Sequence, residues 1–315
     1  NRAQQEACDK EIRELLAADF IEECKDPSIA AAGTFMLQKK RPQNAGANYK
    51  PEYRLVNDFT EFNKNTRGIV EVTGDTYTPI LNAMMKNNKY FSAYDFRDAY
   101  HHILTSERIQ KYLRFITYDR KIYKWKRMCF GMKQAPSLWN AFIRRVLPKD
   151  LHSFFDDVIH GSKDVDEWER QFESLLKVCY KYNLTLRLSK CDFCEEKIDT
   201  LGFRISQQKI EPSVKSKDNI INLKEPENLA ELKHALGLVN YLHKFIPGLN
   251  KYISILSKLT RGGKLTGRIK LPFQWTTTHA NALKQIKENV KQNPILVPPD
   301  FDKQFRITGD ASGIG

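Results

Sequence analysis

Two adjacent aspartates are candidate metal ligands. They lie in "SFFDDVIHGS", where Asp156 and Asp157 stand between two phenylalanines and two aliphatic residues. Neighbouring carboxylates repel each other, and a divalent cation such as Mg²⁺, which prefers oxygen ligands, is the simplest compensation. A two-metal phosphoryl-transfer site needs a third carboxylate, and Asp95, at the end of "YFSAYD", is the candidate. The three acids would meet if their strands were neighbours in one sheet. Two unrelated acidic turns are the alternative.

The elements that would position these acids follow from hydrophobic periodicity. An amphipathic helix is predicted over residues 3–21. Its buried face is predicted to hold Ile12, Leu15, Leu16 and Phe20. Two strands around a basic loop follow in residues 34–59, and a third strand ends in a turn near Asp95. These alternating strands and helices predict an α+β part.

A strand, a turn and a helix are predicted before the acidic pair. Gly131 marks the turn, and Pro136 suits the first helical position. The buried stripe of this helix is predicted to be Leu138, Phe142 and Val146. Asp156 and Asp157 then lie at the tip of a hairpin, which is followed by a helix in residues 166–186 and a short strand in "TLGFRIS".

From about residue 207 the sequence becomes mainly helical. In "NLAELKHALGLVNYLHKFI", Asn228 and Glu231 predict an N-terminal cap. The buried face of this helix is predicted to hold Leu229, Leu232, Leu236 and Val239. A last helix is predicted in "HANALKQIKENVKQ", and "FRITGDASGIG" predicts the first strand of a third unit.

The charge balance favours a polyanionic partner. The 315 residues include 51 basic and 38 acidic side chains, a formal net charge of +13. Between Arg120 and Lys149 there is no acid. The basic residues there are Arg120, Lys121, Lys124, Lys126, Arg127, Lys133, Arg144, Arg145 and Lys149. With the interleaved Tyr123, Trp125 and Phe130, they are typical of a groove that tracks phosphates and stacks bases. A merely solvated basic surface is the alternative.

Cysteine usage and the chain termini indicate an intracellular protein. The six cysteines are dispersed, which predicts reduced thiols. The lone C-x-x-C from Cys191 to Cys194 has no second pair nearby, so a zinc site is not favoured. The sequence shows no signal peptide and no apolar run long enough for a membrane span. We expect a segment of a longer polyprotein, located in a cytoplasmic particle or the nucleus.

An ordered set of motifs resembles the reverse transcriptases, most of all those of gypsy-type LTR retrotransposons. The motifs are "YRLVNDFTEFNK", "FSAYDFRDAYHHI", "FGMKQAP", "FFDDVIHGSK", "LSKCDF" and "LGFRIS". The resemblance implies a right-hand polymerase, with fingers and an antiparallel palm sheet in residues 1–206 and a helical thumb in 207–262. Residues 263–315 would then be a connecting segment and the truncated start of a ribonuclease H-like domain, with Asp310 as its first metal ligand.

The resemblance also implies roles for individual residues. Asp95, Asp156 and Asp157 would hold two Mg²⁺ ions, with Mn²⁺ as an alternative. The implied nucleotide-binding residues are Arg54, Asp98, Ala99, Tyr100, Phe130, Gly131 and Lys190. In this set, Arg54 would grip the triphosphate, and the ring of Tyr100 would exclude a ribose 2′-hydroxyl. The implied primer grip is Leu201, Gly202 and Phe203. His101 and His102 are interpreted as structural.

Three departures from the family pattern affect these roles. Thr60 stands where most relatives have Arg, so the resemblance does not imply the fingers contact of that Arg here. Phe154 replaces the usual Tyr beside the acidic pair. The loop from Lys39 to Tyr53 is longer than in most relatives, so the resemblance does not place the lysine on the triphosphate side, for which Lys39 and Lys40 are the candidates.

The activity implied by the resemblance is RNA-directed DNA polymerisation. The chain would add dNTPs to a primer 3′-hydroxyl on an RNA or DNA template and would bind RNA–DNA hybrids. Ribonuclease H activity is expected only in the full-length parent. The alternative is a catalytically decayed or domesticated relative that binds nucleic acid. The presence of all three aspartates favours the enzyme.

Overall fold

The computed structural model describes residues 2–25, 30–38, 49, 51–67, 77–246, 248–261, 273–292 and 304. The chain divides into two compact units, between which it passes several times. Unit 1 comprises residues 1–75, 94–159 and 170–191, and unit 2 comprises residues 76–93, 160–169 and 192–315. Both contain helices and mainly antiparallel strands, so the fold is α+β.

The described residues form twelve strands and ten α-helices. Strands β1 to β12 are Ile21–Glu23, Ala32–Gln38, Tyr53–Asn57, Tyr90–Asp95, Arg114–Ile116, Ile122–Trp125, His152–Phe154, Asp157–Ser162, Asp192–Glu195, Lys197–Thr200, Phe203–Ser206 and Lys209–Pro212. Helices α1 to α10 are Arg2–Ala17, Thr60–Asn65, Tyr77–Met84, Glu107–Gln110, Ala135–Val146, Val165–Tyr182, Val214–Ile221, Leu229–Leu242, Leu249–Arg261 and Thr277–Lys291. Short 3₁₀ helices cover Ala99–His102, Leu188–Lys190 and His243–Phe245.

Unit 1 is built around α1 and a five-stranded sheet in the order β1-β6-β5-β2-β3. The predicted pair β2 and β3 is antiparallel, with Thr34 opposite Asn57. Helix α1 buries Cys8, Ile12 and Leu15. The prediction for Leu16 was wrong, because that side chain is 39% exposed. The predicted Phe20 lies beyond the helix, which ends before Asp19 turns the chain with a left-handed φ of 57°.

A four-stranded sheet in the order β7-β8-β4-β9 carries the predicted acids. Strands β4 and β8 each run from one unit into the other. In unit 1, β7 and β8 form the predicted hairpin, in which Phe154 pairs with Asp157. Phe155 makes the tight turn with a left-handed φ of 52°. Because Val158, Ile159 and Tyr94 are almost completely buried, the strand ends are held on a packed core.

Helix α5 confirms the predicted turn and helix but not the predicted stripe. Pro136 occupies the first turn, where its missing N–H is tolerated. The buried residues are Ala135, Trp139, Asn140 and Ile143. The predicted stripe of Leu138, Phe142 and Val146 is half-buried instead. The stripe is rotated by one position because Trp139, the largest side chain of the helix, is fully buried and packs edge-on against Phe96.

Unit 2 joins a three-stranded sheet, β10-β11-β12, to helices α7 to α10. The segment after residue 207 begins with β12, which is antiparallel to β11, so it becomes helical only at Val214. Asn228 caps α8 as predicted, since its side chain accepts a hydrogen bond from the backbone N–H of Glu231 at 2.9 Å. The buried face includes Leu232, Leu236 and Val239, whereas the predicted Leu229 is 38% exposed.

Several sequence predictions lie outside the described residues: the strand in "FRITGDASGIG" with Asp310, and the loop lysines Lys39 and Lys40. All six cysteines are described, and none of them forms a disulfide with another described cysteine. Within the described ranges, no helix has the length and apolar character needed to cross a membrane.

Candidate functional site

The structure brings the three predicted aspartates of unit 1 within electrostatic reach of one another. Asp95 ends β4, Asp157 begins β8, and Asp156 lies in the hairpin turn before it. The pKa of Asp157 is raised to about 6, first by burial and then by the charges of Asp95 and Asp156, while Lys190 opposes this rise. The pKa of Asp156 is also raised, by burial and by the charge of Asp95. The charge of Asp95 therefore makes both Asp156 and Asp157 harder to ionise.

The donor atoms of this cluster suit a divalent cation. The Oδ2 atom of Asp95 and the Oδ1 atom of Asp156 are buried and accept no hydrogen bond from any described residue. Buried acceptors without a partner are costly, and a cation ligated by oxygen would remove that cost. Among the described residues, however, no group of three or more His, Cys, Asp or Glu side chains is already arranged to hold a metal ion. The cluster nevertheless fits a metal in its charge and in the chemistry of its donor atoms.

An arginine that the sequence reasoning missed lies against this cluster. The Nη1 atom of Arg187 is 3.8 Å from Oδ2 of Asp95, and its Nη2 atom is 3.3 Å from Oδ1 of Asp98. Its backbone N–H donates to the carbonyl of Asp95 at 2.8 Å. The only signal in the sequence was its place in "LRLSKC", three residues before Lys190.

Two predicted nucleotide-binding residues, Tyr100 and Arg54, lie against the ring of a third, Phe130. The centroids of the Tyr100 and Phe130 rings are 5.0 Å apart, and the Arg54 guanidinium lies 5.3 Å from the Phe130 centroid. Burial raises the pKa of Tyr100 to about 12, with a further contribution from the charge of Asp156. The Tyr100 hydroxyl therefore stays protonated at neutral pH, within electrostatic reach of the acidic hairpin.

Gly131 forms a turn that only glycine fits well. Its φ is +93°, and a Cβ atom there would lie 3.0 Å from the carbonyl oxygen of Asn57. Asn63, which was not singled out from the sequence, spans the turn. Its Nδ2 donates to the carbonyl of Gly131 at 2.8 Å, and its Oδ1 accepts from the backbone N–H of Lys133 at 2.8 Å. The backbone at Gly131 is thus fixed beside Phe130.

The segment after Asp95 is a tight turn whose histidines have structural contacts. Asp98 has left-handed backbone angles, φ 48° and ψ 49°, and precedes the 3₁₀ helix that Ala99 begins. His101 stacks on Trp125 at 5.0 Å, and burial lowers its pKa to about 4. Nδ1 of His102 donates to the carbonyl of Ala99, and its Nε2 accepts from the backbone N–H of Thr185. These contacts support the interpretation of both histidines as structural.

Only some of the basic residues of the predicted groove could contact phosphates. Lys121, Lys124 and Lys126 form ion pairs with Asp119, Glu22 and Asp19. The prediction of stacking surfaces at Tyr123 and Trp125 was wrong, because both rings are at most 5% exposed. Alternation along β6 sends these two aromatic side chains into the core. Outside this strand, Lys133, Arg144, Arg145 and Lys149 are exposed.

In unit 2, the predicted primer grip is a turn held by hydrogen bonds. Leu201 and Gly202 have φ angles of 49° and 71°. The Tyr241 hydroxyl donates to the carbonyl of Leu201, and the Ser216 hydroxyl donates to that of Gly202 at 2.8 Å. The Phe203 ring is completely buried. It stacks between the rings of Tyr241 and Phe245, so Phe203 supports this turn from the core.

A family model matches the segment that holds most of these residues. The model describes the reverse transcriptase (RNA-dependent DNA polymerase) family, and it matches residues 39–205, more than half of the chain. This range contains the three aspartates, Arg187 and the cluster around Phe130. It also includes the turn at Leu201 and Gly202.

Similar proteins are transposon polyproteins. The Drosophila melanogaster protein named Retrovirus-related Pol polyprotein from transposon opus is 29% identical over 96% of this chain and 30% of its own length. The Transposon Tf2-3 polyprotein of Schizosaccharomyces pombe is 26% identical over 98% of this chain and 22% of its own length. The chain thus spans less than a third of these relatives. They confirm the predicted resemblance to LTR retrotransposon proteins.

Solved structures of similar fold include foamy viral protease-reverse transcriptases. One, described as the protease-reverse transcriptase dRH in complex with double-stranded DNA, has a TM-score of 0.79 and 22% identity, and covers 95% of this chain and 50% of that one. Another, in complex with an RNA/DNA hybrid, has a TM-score of 0.73 and 22% identity, over 95% of this chain and 38% of that one. At this identity they show the fold, which confirms the predicted α+β polymerase class. By its family match, and by a fold and relatives that agree with it, this chain belongs to the reverse transcriptase family.

Proposed function

We propose that this chain is an RNA-directed DNA polymerase that adds dNTPs to a primer 3′-hydroxyl on an RNA or DNA template. The observation that carries the proposal is the cluster of Asp95, Asp156 and Asp157. Two strand ends place these acids together, burial and mutual repulsion raise the pKa of Asp156 and Asp157, and two buried oxygens accept no hydrogen bond from the described residues. Such an arrangement destabilises a protein unless cations occupy it.

Asp95, Asp156 and Asp157 are the residues that would hold Mg²⁺, or Mn²⁺, in two positions. Bound there, two divalent ions supply activation of the primer hydroxyl and neutralisation of charge on the triphosphate. The protein's own contribution is to hold the three carboxylates on rigid strand ends. Lys190 offsets part of their charge, since it opposes the rise in the pKa of Asp157.

The cluster around Phe130 would receive the incoming nucleotide. Arg54 presents a planar guanidinium that suits bidentate binding of a phosphate. Tyr100 would stand beneath the sugar, where its ring leaves no room for a 2′-hydroxyl. The backbone N–H groups of Asp98 and Ala99 would contact phosphate oxygens, and the glycine at position 131 lets the nucleotide approach the main chain.

Nucleic acid would bind to the exposed basic residues and to the helical segment assigned as the thumb. The solved foamy viral structures contain double-stranded DNA or an RNA/DNA hybrid, and this chain carries a net charge of +13. We assign fingers and palm to residues 1–206, a thumb to 207–262, and the connecting segment and start of a ribonuclease H-like domain to 263–315. The turn at Leu201 and Gly202 would contact the primer.

Primer extension tests the proposal. Wild type should extend oligo(dT) on poly(rA) with dTTP and Mg²⁺. Asp156→Asn should reduce extension to background, because a neutral amide is a poor ligand for a hard cation. Binding of the template–primer should persist, since basic side chains dominate that affinity. Asp150→Asn, at an exposed aspartate, is the matched control.

Extension near the wild-type rate by Asp156→Asn would refute the assignment. A wild-type chain that binds the hybrid but never extends it would support the decayed, nucleic-acid-binding alternative.

A further inference from the structure

Arg187 lies close enough to Asp95 to interact electrostatically with a cation bound by the proposed metal ligands. Its guanidinium is 3.8 Å from Oδ2 of Asp95 and donates a hydrogen bond to Oδ1 of Asp98 at 3.3 Å. At 3.8 Å the contact with Asp95 is electrostatic and too long for a hydrogen bond. The Oδ2 atom is therefore stabilised by charge while its lone pairs stay available to a metal.

The main chain fixes Arg187 in this position. Its N–H donates to the carbonyl of Asp95 at 2.8 Å, and Leu186 forms a β-bridge with Phe96. Cys191 adds a second connection, because its sulfur accepts from the Asp95 N–H and donates to the Arg187 carbonyl, both at 3.4 Å. The segment is thus tied to the end of β4 on both sides of the guanidinium. The fold therefore holds the backbone of Arg187 beside the end of β4.

We propose that Arg187 is a positioning residue that neutralises part of the acidic cluster in the metal-free protein and thereby weakens its affinity for divalent ions. The inference rests on the proposed function. Without metal, three neighbouring carboxylates repel one another, and the fixed charge of Arg187 stabilises Asp95. A divalent ion at about 2.1 Å from a carboxylate oxygen of Asp95 would lie within several ångströms of the guanidinium. At that separation like charges repel, so Arg187 favours the empty cluster over the filled one.

Moderate affinity is what the proposed reaction requires. Mg²⁺ is commonly held by one or two carboxylates together with substrate phosphates and not by an all-protein cage. A cluster that already carries an arginine charge would bind ions weakly by itself. It would bind them firmly only when the triphosphate adds negative charge and further oxygen ligands.

Four variants of the full chain separate the charge of Arg187 from its packing. Arg187→Met and Arg187→Gln remove the charge, and the glutamine keeps an amide donor for Asp98. Arg187→Lys keeps the charge. Arg204→Met is the matched control, because it removes an arginine that pairs with Asp199 at 2.8 Å in unit 2.

Mn²⁺ binding, measured by electron paramagnetic resonance without nucleotide or nucleic acid, is the main readout. The two charge-removing variants should bind Mn²⁺ about fivefold to tenfold more tightly than wild type. They should also melt at a lower temperature in EDTA. Arg187→Lys and Arg204→Met should keep the wild-type affinity. Far-UV circular dichroism establishes that each variant is folded.

Unchanged or weaker Mn²⁺ binding by folded Arg187→Met and Arg187→Gln overturns the inference. It is equally overturned if Arg187→Lys binds as tightly as Arg187→Met, since charge would then not be the cause. These failures leave the proposed function standing. If Asp156→Asn does not weaken Mn²⁺ binding, the metal site itself is wrong, and the proposed function and this inference both fall.

Discussion

At the scale of single residues, the carboxylates of the candidate site lower the stability of the metal-free protein. Asp156 and Asp157 are partly buried beside a third carboxylate, and the pKa of each is raised. A raised carboxyl pKa means that the folded state binds protons more readily than the unfolded chain. For Asp157 the stability of the metal-free protein should therefore fall as pH rises from about 4 towards 6, and stay low above that range.

Asp157→Asn should stabilise the metal-free protein. In EDTA at pH 8, we expect the free energy of unfolding to rise by about 1 kcal/mol, after allowance for partial solvent exposure. At about pH 2, well below both pKa values, Asp157 is protonated in both states and the difference should vanish. Thermal melts at both pH values measure this, and Mg²⁺ at pH 8 should narrow the gap by stabilising wild type alone. A lower melting temperature for the variant at pH 8 in EDTA would contradict the argument.

Tyr100 should control the choice of sugar. Tyr100→Ala opens the space where a ribose 2′-hydroxyl would lie, so the ratio of kcat/KM for rNTP over dNTP should rise. Tyr100→Phe keeps the ring against Phe130 and should keep the wild-type ratio. Loss of packing affects both substrates alike, so the ratio isolates the steric effect. An unchanged ratio in a folded Tyr100→Ala protein would exclude the sugar gate.

At the scale of elements, tight turns between regular segments hold the proposed contacts. Gly202 lies between β10 and β11 with φ +71°, and a Cβ atom there would be 3.0 Å from both Ser216 Oγ and Tyr241 Cε1. Gly237 lies on the exposed face of α8, and no described atom outside the helix backbone is within 4 Å of its Cβ position. The two glycines belong to the same unit, but only Gly202 has a left-handed backbone conformation and close neighbours that disfavour a side chain.

The same substitution should therefore have opposite effects at these positions. Gly237→Ala should raise the free energy of unfolding by about 0.5–1 kcal/mol, because alanine has the better helix propensity. Gly202→Ala should lower it by about 1–3 kcal/mol, through backbone strain and crowding. It should also raise the Kd for template–primer. Chemical denaturation of both variants provides the comparison, and equal effects would refute the strain argument.

At the scale of the whole molecule, net charge should govern affinity for nucleic acid. Part of the basic run from Arg120 to Lys149 is neutralised internally, as Lys124 is by Glu22 at 2.6 Å. Others, such as Arg145 on α5, are exposed. Only exposed basic side chains such as Arg145 can displace counterions from phosphates.

Binding to an RNA–DNA hybrid should weaken steeply with salt. If about six phosphates are neutralised, affinity should fall about a thousandfold between 50 and 200 mM salt. Arg145→Gln should reduce the log–log slope by about 1, whereas Lys124→Gln should leave it unchanged. Fluorescence anisotropy over a salt series measures the slope. A flat response in wild type would mean that the basic surface is only solvated.

The sequence by itself determined the local elements and the candidate chemistry. The hairpin at Asp156, the strand that ends at Asp95 and the capped helix after Asn228 depend on neighbouring residue types, so periodicity and turn signals predicted them. The order of the motifs likewise predicted the family. The mistaken predictions that Leu16 and Leu229 are buried concern residues at helix edges. There, periodicity defines the edge of the buried face only to within about one position.

Only the tertiary structure decided which distant side chains meet. Arg187 and Asp98 are 89 residues apart, and Trp125 donates to Asn57 across 68 residues. No local pattern encodes such pairs, because they depend on how strands are ordered within a sheet and on which face each strand buries. For that reason the core positions of Tyr123, Trp125 and Phe203, and the arginine beside the acidic cluster, were decided by packing between segments far apart in sequence.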